Sequence, residues 1–281
     1  MTERSTGSDL TLSLSNAKAE RIKQVRALSG RSARSKTGRF LVEGPQAVRE
    51  AVRFAPERIR DLYLTEDTAA RFSEIVADAQ SADLYIHVGT AAVLDAMSPD
   101  GQGVVAVMDN SGVSLDEVLD GSGTKPRLIA VLSNVRDPGN AGAAIRVADA
   151  AGADAVVLAG ESVDPANPKV VRASAGSIFH LPVVRSLPLD DALAAIAEAG
   201  LRIIAADSSG TAELGDAATG DEFLAGPTAW VFGNEAWGLR EDELALADSV
   251  VRIPIYGRAE SLNLATAASV CLYASARAHQ A

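Results

Sequence analysis

At 281 residues the chain has room for one large or two ordinary domains, and its 47% hydrophobic and 22% charged content is that of a globular protein rather than a disordered one. No apolar run approaches the roughly 18 residues of a membrane span, and the polar N-terminus lacks the apolar core of a secretion signal. The single Cys271 excludes an internal disulfide framework, and one cysteine with three histidines argues against a zinc cluster, so a cytoplasmic protein without a metal is expected.

Taken in chain order, residues 1–14 read as a disordered tail. Residues 16–28 carry Ala19, Ile22, Val25, Ala27 and Leu28 at near-helical spacing. Residues 29–38, rich in Ser, Gly and Arg, read as a polar, basic loop. Residues 39–43 read as a strand, and Gly44-Pro45 opens a helix running to Phe54, with proline in the first turn where its missing N–H costs nothing. Strands are expected at 59–64, 84–88 and 103–108, with helices at 67–79 and 90–96 between them. This is a small α/β domain spanning 15–109. Residues 110–125, rich in Gly, Ser and Asp around a short apolar piece at 113–119, read as a linker. A second alternating unit fills 126–281. Its strands are expected near 128–132, 155–158, 178–184, 202–206, 229–232 and 250–253, and its helices near 141–151, 189–199, 241–247 and 264–278.

The net charge of −11 argues against a polyanionic partner, but its distribution argues for one. Between Lys18 and Arg60 stand twelve basic residues and four acidic ones, so this segment carries +8 and the remainder −19. A local basic patch on an acidic body is an electrostatic footprint for nucleic acid. The alternative is a solvated helix face.

Three segments could carry chemistry. The first follows the apolar run 128–132 and contains Asn134, Arg136, Asn140, Gly142 and Arg146. Its glycines do not form the dinucleotide fingerprint of a nicotinamide enzyme, and it lacks the Gly-Lys-Ser/Thr ending of a P-loop. It holds no Cys or His, so any chemistry rests on positioning and hydrogen bonding. Taken singly, its residues have ordinary readings: Asn140 as the cap of the helix from 141, Arg146 as a surface arginine. The second segment, Phe232-Gly-Asn-Glu-Ala-Trp-Gly-Leu239, ends an apolar strand. Glu235 there is either a ligand acceptor or a charge at a helix N-terminus. The third joins Ile253-Pro254 to the last helix through Glu260-Ser-Leu-Asn263, where Ser261 and Asn263 are also common caps.

Together, in this order, the three segments resemble the three sequence motifs of the SpoU (TrmH-like) RNA ribose 2′-O-methyltransferases of the SPOUT class. Asn134, Arg136, Asn140, Gly142 and Arg146 match the first motif; Asn234, Glu235, Gly238 and Leu239 the second; Ile253, Pro254, Glu260, Ser261 and Asn263 the third. The stretch 169–176 resembles a further family segment, and 38–44 resembles the start of the family's substrate-binding domain.

The resemblance implies an N-terminal RNA-binding α/β domain and a C-terminal α/β domain with a mostly parallel, trefoil-knotted sheet. It implies S-adenosylmethionine held by Gly233, Asn234, Ile253, Leu262 and Leu132. It implies a homodimer, no membrane partner and no metal. Arg146, Asn140, Glu235, Ser261 and Asn263 would form the catalytic set, with Asn140 orienting Arg146. The family assigns the proton of the 2′-hydroxyl to the arginine, but a guanidinium is effectively always protonated. Arg146 is therefore expected to bind the neighbouring phosphate and lower the hydroxyl's pKa. Arg31, Arg34, Lys36 and Arg39 would contact RNA phosphates. Ribosomal RNA is the expected substrate, with tRNA as the alternative. A non-catalytic RNA-binding protein of the same fold is the reading outside catalysis.

Overall fold

The computed structural model describes residues 10–121, 125–216 and 219–280, and the chain divides into two compact units, Met1–Ser111 and Gly112–Ala281. Residues 1–9 of the expected tail lie outside the described residues.

The first unit runs β1 (Leu12–Leu14), α1 (Glu20–Ala27), α2 (Arg31–Thr37), β2 (Arg39–Glu43), α3 (Pro45–Phe54), β3 (Ile59–Leu64), α4 (Glu66–Arg71), α5 (Ser73–Ser81), β4 (Ile86–Gly89), α6 (Ala91–Met97) and β5 (Val104–Asp109). Its sheet has the order β1-β4-β3-β5-β2, with β5 antiparallel to both neighbours and the other pairs parallel. Ile22 and Val25 of α1 pack with Val93, Leu94 and Met97 of α6 against Leu41, Val105 and Val107 of the sheet.

Three expectations are corrected here. Residues 12–14 are not disordered, because Leu12 and Leu14 pair with Val88 and Gly89 at the sheet edge. The basic segment 29–38 is not a loop, since 31–37 wind into α2 and end on Gly38 in the left-handed region at φ 64°. The expected helix 67–79 is two helices, broken at Phe72, whose φ of −115° and ψ of 52° leave the helical region.

The second unit runs α7 (Leu115–Asp120), β6 (Leu128–Ser133), α8 (Pro138–Ala150), β7 (Ala155–Ala159), α9 (Pro168–Ala173), β8 (Val183–Leu187), α10 (Leu189–Glu198), β9 (Arg202–Ala206), β10 (Ala212–Glu213), α11 (Asp221–Leu224), β11 (Thr228–Phe232), α12 (Glu241–Leu244), β12 (Ser249–Arg252) and α13 (Leu264–Gln280). Its seven strands, ordered β10-β12-β9-β11-β6-β7-β8, are paired parallel throughout. Both faces are covered, which is why these strands read as continuous apolar runs. Residues of α8 and α13 bury one face, with Ile145, Ala148, Cys271 and Leu272. Residues of α7 and α10 bury the other, with Leu115, Val118, Leu193 and Ile196.

Residues 112–121 are therefore not a linker: Ser114 and Glu117 form a capping box at the start of α7, whose apolar side belongs to this core. The expected strand 178–184 is also corrected, because Ser177–Phe179 form a single 3-10 turn and the strand starts at Val183.

The sheet register decides where the polar segments meet. Leu132, Phe232, Ala206 and Val251 are cross-strand neighbours at the carboxyl ends of β6, β11, β9 and β12. The loops that leave these four strands emerge side by side at one sheet edge, where the strand order switches direction and open α/β sheets bind ligands.

Candidate functional site

The loop after β6 starts at Asn134, which takes the left-handed conformation at φ 55°. Asparagine tolerates this region because its short amide bonds locally. Asn134 Nδ2 donates to Ser133 Oγ and to Glu243 Oε1, each at 3.0 Å, and its Oδ1 accepts from the Glu161 backbone N–H at 3.0 Å. Asn234 Nδ2 in turn donates to the Asn134 carbonyl at 2.6 Å. Glu243, nearly fully buried, also accepts from Ser133 Oγ and the Arg240 backbone N–H. This network ties the first loop to the second.

Asp137, not Asn140, caps α8. Its Oδ1 accepts from the Asn140 backbone N–H at 2.8 Å, and Pro138 occupies the first helical position. The Asn140 side chain is thereby released for other partners. Its Nδ2 donates to Glu235 Oε1 at 3.1 Å, and its Oδ1 accepts from Asn263 Nδ2 at 2.8 Å. Asn263 does cap its own helix, its Oδ1 accepting from the Ala265 backbone N–H at 2.9 Å. One residue from each of the three segments thus meets in a hydrogen-bonded chain, Glu235–Asn140–Asn263.

Beside this chain opens a cavity of about 720 Å³. Of the residues singled out from the sequence, Asn140, Gly233, Asn234, Glu235, Ile253, Ser261, Leu262 and Asn263 all line it. The rear wall depends on glycine. A Cβ on Gly233 would stand 2.3 Å from the Gly238 carbonyl carbon, and Gly238 itself has φ 68°. Sequence reasoning missed the loop after β9, where Asp207, Ser208 and Ser209 join the lining, and it gave no role to Trp237. The available signal was a polar Asp-Ser-Ser-Gly run directly after an apolar strand, the same layout that marks the first segment.

Two assignments do not hold within the chain. Leu132 is fully buried in the core at the end of β6 and lies outside the cavity lining. Arg146 is exposed, has no hydrogen-bond or ion-pair partner among the described residues, and is also outside the lining. It follows Asn140 by six residues, about 9 Å along α8 and roughly 240° around it. Asn140 therefore does not orient Arg146; its amide is committed to Glu235 and Asn263.

Gly142 serves packing. A Cβ there would fall 2.5 Å from the Ala173 Cβ and 2.6 Å from the Val170 carbonyl oxygen, so only glycine lets α8 approach α9 this closely. The same contact accounts for the small side chain at Ala173 within 169–176.

In the first unit, Arg31, Lys36 and Arg39 are exposed, with Arg39 3.8 Å from Asp109. Arg34 is buried, and its Nη1 donates to the Leu28 and Ser29 carbonyls at 3.2 and 2.8 Å, closing the end of α1. It is thus a structural residue rather than a surface contact for phosphate. Much of the segment's positive charge is also matched by acids from beyond it, in the pairs Arg21–Asp61, Arg49–Glu74, Arg53–Asp78 and Arg60–Asp109. Among the described residues there is no group of three or more His, Cys, Asp or Glu that could hold a metal ion, and no helix long and apolar enough to cross a membrane.

Both halves of the chain match known proteins. The model of the SpoU rRNA Methylase family matches residues 127–273, and that of the MRM3-like substrate binding domain matches residues 19–106. The chain is 30% identical over 263 residues to the 23S rRNA (guanosine(2553)-2′-O)-methyltransferase RlmP of Bacillus subtilis, covering 92% of this chain and 97% of that protein. It is 34% identical over 270 residues to the 23S rRNA (uridine(2479)-2′-O)-methyltransferase of Streptomyces viridochromogenes, covering 92% and 89%. The AdoMet-bound rRNA methyltransferase from Sinorhizobium meliloti superposes with a TM-score of 0.78 at 28% identity, covering 95% of this chain and 98% of that one. With all three motifs converging on one cavity and both halves matched, the chain belongs to the SpoU rRNA methylase family.

Proposed function

We propose that the chain transfers a methyl group from S-adenosylmethionine to a ribose 2′-hydroxyl of ribosomal RNA. The observation that carries this reading is the Glu235–Asn140–Asn263 chain on the wall of the four-loop cavity. Relatives at 30 and 34% identity are named as 23S rRNA 2′-O-methyltransferases, and this favours ribosomal RNA over tRNA.

The cavity's volume lies in the range of cofactor sites, and its lining has the right chemistry. Ile253, Leu262 and Leu239 offer apolar surface, and the backbone at Gly233 and Gly238 is open to close approach. The bound cofactor supplies an electrophilic methyl group on a sulfonium, which needs no Cys or His nucleophile. The chain's own contribution is to hold the ribose oxygen in line with that methyl. Glu235 is fixed through Oε1 by Asn140 and, at 3.4 Å, by the Asp137 backbone N–H. Its Oε2 has no partner among the described residues and is the natural acceptor for the hydroxyl proton. Ser261 and Asn263 line the same cavity, Asn263 tied to Glu235 through Asn140.

Arg146 points to a homodimer. Its position on another side of α8 from Asn140 fits a site that the arginine of a second copy completes, its charge lowering the pKa of the hydroxyl through the adjacent phosphate. Mixing Arg146→Ala with Asn140→Ala chains tests this, since only mixed dimers would regain one intact site. The basic residues Arg31, Lys36 and Arg39 hold RNA, and the residues of 253–263 that line the cavity belong to the segment that the family's trefoil knot would include. The cytoplasm is where such a substrate is found.

The deciding experiment is a map of ribose methylation in total RNA from cells with and without this gene. Loss of one methylated ribosomal nucleotide is expected; loss in tRNA alone would move the substrate. A non-catalytic protein would leave the map unchanged. A kinetic pKa in single-turnover transfer that vanishes in Glu235→Gln would identify Glu235 as the base.

A further inference from the structure

We propose that Trp237 and Arg136 form the seat of the target nucleotide, with the indole stacking on its base and the guanidinium taking its phosphate. This rests on the methyl-transfer reading above and adds the way the substrate is held. Trp237 belongs to the loop after β11 and lines the cavity beside Asn140 and Glu235, yet half of it is exposed. A large aromatic left half in water at the rim of a site has an unused apolar face. Arg136, from the loop after β6, sits 5.5 Å above the indole centroid. Its other partner is Glu161 at 2.5 Å, in a pair exposed by 58 and 79%. So exposed a pair is worth little in water, and a phosphate can replace the carboxylate at small cost. Arginine stacked on an indole, its fork held only by an exposed carboxylate, suits a phosphate bound next to a stacked base. The cofactor is the less suitable occupant of this face, because the ring lies under an exposed ion pair rather than within the apolar interior of the cavity.

The chain has two tryptophans, and Trp230 is fully buried, its indole N–H bonded to Ser275 Oγ. Quenchable emission therefore reports Trp237. Unmethylated ribosomal RNA, from cells lacking this protein, is titrated into the full chain, and methyl transfer is measured for Trp237→Phe, Trp237→Leu and Arg136→Ala. The expected results are RNA-dependent quenching, near-normal transfer by Trp237→Phe, and a roughly ten- to hundredfold rise in KM for RNA with Trp237→Leu, the loss of one base stack. Cofactor affinity, measured by calorimetry, should change far less than the KM for RNA, since Trp237 stands at the rim of the cavity. If Trp237→Leu matches the wild type while the wild type transfers methyl, the inference falls alone. Quenching by S-adenosylmethionine with no further change on adding RNA, or a loss of dimer in Trp237→Leu on sedimentation with unchanged RNA KM, also overturns it. A wild-type chain that methylates no RNA overturns the underlying function, and this inference with it.

Discussion

Asn263 Nδ2 donates to Asn140 Oδ1 at 2.8 Å, joining the start of the last helix to the first turn of α8 across 123 positions of sequence. With its Nδ2 on Glu235, Asn140 uses both ends of its amide to hold the other two segments in register. Asn140→Asp keeps the shape but exchanges a donor for a carboxylate facing Glu235, and like charges at this distance repel. Its kcat for methyl transfer should fall about a hundredfold, the scale of losing a preorganised polar contact. The dissociation constant for S-adenosylmethionine, measured by calorimetry, should change far less.

Gly142→Ala tests the packing reading of the first motif. The added Cβ meets the Val170 carbonyl and the Ala173 Cβ, backbone or nearly so, and neither can swing away as a flexible side chain does. Overpacking of this kind costs about 1–3 kcal/mol. For a unit of this size that is a fall in melting temperature of roughly 3–10 °C. If activity falls with no change in melting, the role of Gly142 lies in substrate contact instead.

What the sequence made legible follows from how each signal is encoded. The strands of the second unit were readable because burial on both faces demands uninterrupted apolar runs such as 128–132 and 203–206. α2 was not readable, because its buried residue is Arg34, whose charge mimics a solvated loop. β1 is a three-residue edge strand, too short for an alternating pattern to stand out. At the site, each polar residue alone had an ordinary capping explanation, and for Asn263 that explanation also holds. Asn140 escaped it only because Asp137, three residues earlier, takes the cap. The separation of Arg146 from Asn140 depends on helical phase measured from the true start of α8. The charge excess of 18–60 was real in sequence but half of it was matched by Asp61, Glu74, Asp78 and Asp109, which folding brings in from outside the counted window.

That pairing separates two kinds of arginine in the first unit. Arg31→Glu with Lys36→Glu alters exposed residues that have no acidic partner among the described residues. RNA affinity should drop, and its dependence on salt should become shallower by about one unit of slope for each phosphate no longer neutralised. Melting and cofactor binding should stay as they were. Arg34→Ala should behave oppositely. It removes charged hydrogen bonds to the Leu28 and Ser29 carbonyls, so about 2 kcal/mol of stability should be lost.

Cys271 offers a reporter of unfolding. It is fully buried in the core beside Leu272, and burial pushes its thiol well above the ordinary range. Since the thiolate is the reactive form, iodoacetamide should leave the native chain unlabelled and modify it fully in denaturant. The labelling rate in water then measures opening of the second unit. Fast labelling under native conditions would contradict the packing of α13 on the sheet.

Asp61 gives the first unit an acid limit. Burial by itself would raise its carboxyl, but the hydrogen bond with His87 at 2.9 Å and the charge of Arg21 at 2.6 Å outweigh it and hold the group below its ordinary 3.8. A carboxyl depressed in the folded state adds stability that is fully present above the unfolded pKa and is lost as pH falls through the folded one. The loss therefore falls below about pH 3.8, where the group first binds a proton in the unfolded chain. Asp61→Asn should cost about 1 kcal/mol near neutrality, since the site is only partly shielded from water. That gap should close as the wild type is acidified, when both chains carry a neutral group beside Arg21. Thermal melts of the two chains across the acid range read this directly, and a gap that stays constant with pH would show that Asp61 contributes through its shape rather than its charge.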